Sequence, residues 1–73
     1  MMVYRNQFGQ LHRVDGPAIE WDSGTVEWYL DDRLHRVDGP AIIRADGSQE
    51  WWVNGQHLTG FEVWVLAGTK EGA

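Results

Sequence analysis

Cysteine is absent from this chain, which excludes disulfide staples and thiolate chemistry alike. The same absence fits a reducing compartment. Proline occurs only twice, each time inside a Gly-Pro-Ala tripeptide. No apolar run approaches the roughly 18 residues that a membrane span needs. The opening residues, Met1 to Gly9, lack the apolar core of a secretory signal, so a cytoplasmic location is expected. Cations are scarce too: 6 Lys and Arg stand against 11 Asp and Glu, a net charge of −5. That balance argues against a general nucleic-acid binder, whose surface would be basic, and permits binding to a basic partner.

What the chain does contain is a repeat. LHRVDGPAI runs from Leu11 to Ile19 and again, letter for letter, from Leu34 to Ile42. At the same 23-residue step Gly24 matches Gly47, Glu27 matches Glu50 and Trp28 matches Trp51, so 12 of the 23 positions in units 11–33 and 34–56 are identical. A period of this length marks a repeat architecture. With 73 residues the chain is expected to form one domain, 1–73, and a domain so small needs help to fold. Five tryptophans, two tyrosines and two phenylalanines are one source of that help, and self-association is another.

Punctuation along the chain predicts a mainly β fold: an antiparallel β-hairpin repeat, or meander, with a short C-terminal helix. Asp15-Gly16 and Asp38-Gly39 read as two-residue hairpin turns, each followed by a proline at the start of the returning strand. Asp22-Ser23-Gly24 and Ala45-Asp46-Gly47 read as the next turns, and Asp31-Asp32 and Asn54-Gly55 as the last of each unit. Between them Val26, Trp28 and Leu30 alternate with Glu27 and Tyr29, and Trp51 and Val53 alternate with Glu50 and Trp52. Trp28 and Trp51 are the expected core residues. A partial third unit begins at Gln56-His57-Leu58 and then breaks off. Thr59, with Glu62 three residues on, forms a capping-box pattern, Phe61, Trp64 and Val65 follow at helical spacing, and Gly68 would stop the helix. A helix over about 60–67 is expected, closing the stack within 57–68. The competing reading is a strand over 62–66, from the β-rich Glu-Val-Trp-Val-Leu.

The block HRVDGPA, followed by a Gly-centred turn, Glu-Trp-aromatic and an Asn-Gly type turn, resembles a tandem repeat of tailed-phage and bacterial proteins with units of the form H-R-x-D-G-P-A…G…E-W-[YW]-x-N-G. It is distantly similar to the MORN family of β-hairpin repeats. The likeness covers residues 11–57, with Asp31-Asp32 departing from Asn-Gly and the third unit stopping short. It implies antiparallel hairpins, no enzymatic activity and interaction roles. Its phage association, with small size and acidity, implies an inhibitor of a host protein complex, such as a CRISPR or other defence nuclease.

Three constellations carry candidate chemistry. His12, Arg13 and Asp15 recur as His35, Arg36 and Asp38, which suggests acid–base work, yet no nucleophile accompanies them and their duplication favours turn-fixing hydrogen bonds. His12, His35 and His57 would make a ladder if the units stacked, but no zinc-ligand spacing goes with them, so no metal or other cofactor is expected. Tyr29 and Trp52, joined by Trp21, are expected on the face turned away from Trp28 and Trp51, with Glu27 and Glu50 beside them. An aromatic and acidic patch of this kind marks an interface. Asp22, Asp31, Asp32, Asp46 and Glu50 also raise imitation of nucleic-acid phosphates, against the commoner explanation of a solvated surface.

The expectation is a non-enzymatic protein-binding module, probing a host or partner protein through Tyr29, Trp52, Trp21, Glu27 and Glu50. It would self-associate as a homo-oligomer and touch neither nucleic acid nor membrane directly. The alternatives are a structural assembly repeat, or a small-ligand or metal binder using the His/Arg/Asp row.

Overall fold

The computed structural model describes residues 1–59 and shows short antiparallel strands in a meander-like sheet. The strands are β1 (Met2–Val3), β2 (Ile19–Glu20), β3 (Val26–Glu27), β4 (Tyr29–Leu30), β5 (Arg33–Leu34), β6 (Ile42–Ile43), β7 (Gln49–Val53) and β8 (Gln56–Leu58). Six form one sheet in the order β1-β2-β3-β6-β7-β8, and β4 pairs with β5 beside it. Every pairing is antiparallel. The anticipated C-terminal helix over about 60–67 lies outside the described residues.

The two copies are built alike. β2 and β3 pair as β6 and β7 do, with Ile19 opposite Glu27 and Ile42 opposite Glu50. The Ala18 amide donates to the Glu27 carbonyl and the Ala41 amide to the Glu50 carbonyl, both at 2.8 Å. Units join through the alanine carbonyls: Tyr4 N–H donates to Ala18 at 2.8 Å and Trp28 N–H to Ala41 at 2.7 Å. Tyr4 therefore holds the place before the first unit that Trp28 holds before the second.

The turns explain the strand lengths. Trp21 and Thr25 bracket one reversal and Arg44 and Ser48 its counterpart, closed by backbone bonds of 2.9 Å. Gly24 and Gly47 sit there at φ +100° and +91°, a left-handed conformation open to glycine at little cost. At the other end of each unit Asp31-Asp32 (φ +50° and +67°) and Asn54-Gly55 (φ +51° and +79°) make the expected tight turns, so the aspartates adopt the backbone that Asn-Gly takes more easily.

Asp15-Gly16 and Asp38-Gly39 are different, and here the expected hairpin turns are corrected. Neither glycine has a left-handed φ, and no strand pair flanks either bend. Instead the loop wraps around the arginine two residues before the aspartate. Arg13 donates to the Asp15 carboxylate at 3.2 Å, to the Pro17 carbonyl at 3.2 Å and to Glu20 at 3.0 Å. Arg36 donates to Asp38 at 3.0 Å and to the Pro40 carbonyl at 3.1 Å. A Cβ on Gly16 would meet Arg13 Cζ at 3.0 Å, and one on Gly39 would meet Arg36 Cζ at 2.9 Å. A side chain at either glycine would press on the end of the arginine, and the bend is a cradle for a guanidinium.

That cradle sets each guanidinium over an aromatic ring of the preceding unit. Arg13 Cζ lies 4.1 Å from the Tyr4 ring centre and Arg36 Cζ 3.9 Å from that of Trp28. This stacking corrects the expected core. Trp28 and Trp51 are half-buried, and among the described residues the buried ones are Ala18, Ile19, Ala41 and Ile42, with both alanines at 0% exposure. A sheet of short strands leaves no deep interior for an indole. The alanines face the Trp28 side, where any larger side chain would push the arginine-covered rings away, and the isoleucines face the other.

Candidate functional site

The register puts Ile19, Glu27, Ile42 and Glu50 in one cross-strand row, and alternation adds Trp21, Tyr29, Arg44 and Trp52 to that face. The five residues expected to form a binding patch thus share a face, where they divide into two glutamate-centred clusters. Glu27 accepts from Trp21 Nε1 at 2.7 Å through Oε2 and from the Tyr29 hydroxyl at 3.0 Å through Oε1. Glu50 accepts from Arg44 through Oε2 and from Trp52 Nε1 at 2.9 Å through Oε1. One donor flanks the Gly-centred turn and the other follows the glutamate by two residues. The donors change identity between copies, Trp21 to Arg44 and Tyr29 to Trp52, while the hydrogen bonds persist.

The change matters electrically. Glu50 has a cation on it, and the Trp52 indole N–H first and Arg44 second hold its carboxyl below the usual glutamate range. Glu27 has two neutral donors and, among the described residues, no ion pair. It is a half-buried carboxylate with an uncompensated charge, set beside the half-buried Tyr29 and the 44% exposed Trp21. The patch therefore offers aromatic surface and one fixed negative charge.

Burial, reinforced by Glu27, pushes the Tyr29 hydroxyl up to about 12 from its ordinary 10. A raised pKa means that the folded state holds the proton more tightly. The associated stability is complete below pH 10 and is lost as pH rises toward 12. Ultraviolet titration should show one tyrosinate forming at the upper value, and Glu27→Gln should bring it down by removing the neighbouring charge while leaving an amide oxygen as acceptor.

Two of the histidines share a role and the third differs. His12 Nδ1 accepts the Asp31 amide at 3.1 Å and His35 Nδ1 the Asn54 amide at 3.0 Å, so each locks the tight turn that ends its unit. His57 pairs with Trp52 across β7 and β8, as Leu34 pairs with Tyr29 across β4 and β5. Its ring lies 4.8 Å from that of Trp52. It is the structural counterpart of Leu34, so the three do not form a ladder, and among the described residues no group of three metal-ligating side chains comes together. The acidic residues considered as phosphate mimics are drawn into local contacts as well. Asp32 accepts the Leu11 amide, Asp46 accepts the Ser48 amide, Asp22 meets the N-terminal amine and Asp31 lies 3.3 Å from His12.

Sequence reasoning passed over Val14 and Val37. They occupy one position of the repeated block, yet they are 82% and 53% exposed. They line, with Arg13, Trp28, Leu30, His35 and Arg36, an open cavity of about 150 Å³ between the two arginine loops. Identity between the copies without burial was the signal that marked them. No family model, curated protein or solved structure matches this chain. Among the described residues no helix is long and apolar enough to cross a membrane.

Proposed function

We propose that this chain is a non-enzymatic binding protein that engages a basic segment of a protein partner through Trp21, Glu27 and Tyr29, with Glu50 and Trp52 extending the surface. The observation that carries the reading is the Glu27 carboxylate, held in place by two neutral aromatic donors and carrying a charge that no cation of the described chain neutralises. Aromatic side chains around a fixed charge are the usual makings of an interface hot spot. The acidic balance of the chain favours a basic partner and speeds encounter with it. The resemblance to phage repeat proteins makes stoichiometric inhibition of a host defence nuclease, in the host cytoplasm, the most concrete version, with self-association as a further property. Assembly into a larger particle is the second reading, favoured by β1, which among the described residues pairs on one side only.

Glu27→Lys reverses the charge at a half-exposed position. Captured from host lysate by crosslinking and identified by mass spectrometry, a partner of the wild-type chain should be lost with Glu27→Lys and weakened with Trp21→Ala, while the circular dichroism spectrum is kept. Retention of the same partner by both folded variants would refute this site.

A further inference from the structure

The cavity of about 150 Å³ between the two arginine loops has cationic and apolar walls. Arg13, His35 and Arg36 line it together with Val14, Leu30 and Val37, and no acidic residue is among its lining. In a chain of net charge −5 that is a local reversal of sign. The two guanidinium groups are not neutralised alike. Arg13 donates to two carboxylates, Asp15 and Glu20. At the 23-residue step Ile43 stands in the place of Glu20, so among the described residues Arg36 pairs with Asp38 alone, a carboxylate that is 62% exposed. Arg36 spends Nε on Asp38 and Nη1 on the Pro40 carbonyl, and its Nη2 has no partner among the described residues. His35 supplies a second donor. Its Nδ1 accepts the Asn54 amide, so the neutral ring carries its proton on Nε2, and that N–H has no partner among the described residues either. Among those residues no buried side-chain nitrogen lacks a partner, so both donors are open to solvent.

We infer that this cavity binds a small organic carboxylate with a compact apolar body, about the size of benzoate. The carboxylate accepts from Arg36 and from His35 Nε2, hydrogen bonds of the stronger, charge-assisted kind. The body lies against Val14, Leu30 and Val37, and a cavity of this volume admits one benzene-sized ring. The arginine is held ready, since its guanidinium already lies 3.9 Å from the Trp28 ring centre and bonds the loop beneath it. Binding also gives a use to Val14 and Val37, which the repeat duplicates and the fold leaves 82% and 53% exposed. Trp28 alternates with Glu27 along the chain, so this site lies away from the Glu27 cluster, and its failure would leave that reading intact.

The test is a nuclear magnetic resonance titration of the full chain with sodium benzoate at constant ionic strength. Saturable ring-current shifts are expected at the methyls of Val14, Leu30 and Val37, with shifts of the His35 ring. Benzamide, which keeps the shape and removes the charge, should bind about tenfold more weakly, as should acetate, which keeps the charge and lacks the body. Arg36 also holds its loop, so the variant of choice is Val37→Asp, which sets a carboxylate at an exposed lining position and should abolish binding with the amide spectrum kept. Equal binding of benzamide, unchanged binding by folded Val37→Asp, shifts confined to other parts of the chain, or no saturation by roughly 20 mM benzoate would overturn the inference.

Discussion

Arg36→Ala should lower the unfolding free energy by about 3 kcal/mol, and Arg36→Lys should restore less than half of that loss. The guanidinium holds the loop from inside. It donates to the Pro40 carbonyl, donates to Asp38, and covers Trp28 at 3.9 Å. The Asp38 pair contributes the least, because that carboxylate is 62% exposed and solvent screens it. The stack and the bond to the Pro40 carbonyl carry most of the effect, since truncation uncovers an indole face and leaves a part-buried acceptor without its donor. Lysine reaches with a point charge and cannot lie flat while donating in two directions. A chain of this size holds on the order of 4–11 kcal/mol in total, so the loss is a large fraction of it. Urea denaturation measures it directly, and a change below about 0.5 kcal/mol would remove the arginine from the account.

Ile42→Ala should cost a comparable amount, about 3 kcal/mol, against about 1 kcal/mol for the same change at Ile43. Ile42 is 8% exposed and lies between Glu27 and Glu50 in the cross-strand row, so a shortened side chain leaves a gap that both glutamate clusters border. Its neighbour points to the opposite face, opposite Val26 and Gln49, and is half-buried. The contrast between adjacent isoleucines therefore tests the assignment of faces as well as the depth of the core. Equal costs at the two positions would contradict the register.

Much of the fold was legible because the repeat supplied its own comparison. The Gly24 and Gly47 reversals and the Asp31-Asp32 and Asn54-Gly55 turns follow from local backbone chemistry, and two copies of each reinforced the reading. The Asp-Gly-Pro bends were misread because Asp-Gly signals a hairpin turn only where strands flank it. Here the deciding residue is the arginine two positions earlier, whose reach to a carbonyl across the loop has no signature in local propensity. The tryptophans were placed in the core on the strength of alternation, but alternation assigns a face and says nothing of depth. A sheet of short strands has little depth to offer, and an arginine lies over the Trp28 ring instead. At the candidate site, the shared face of Tyr29, Trp52, Glu27 and Glu50 was legible. The hydrogen bonds from Trp21 and Arg44 were not, because they cross a turn. The exchange of one side-chain donor for another between copies was the available clue.

The central claim is that each LHRVDGPAI segment closes over the preceding unit in the same way, arginine on ring and alanine carbonyl on amide. Couplings transmitted through hydrogen bonds, measured by nuclear magnetic resonance on labelled protein, test it most directly. The account predicts one from Tyr4 N–H to the Ala18 carbonyl and one from Trp28 N–H to the Ala41 carbonyl, with the side-chain protons of Arg13 and Arg36 shifted upfield by the rings beneath them. Ala18 and Ala41 carbonyls coupled to different partners, or arginine protons at their unshifted positions in either unit, would contradict it.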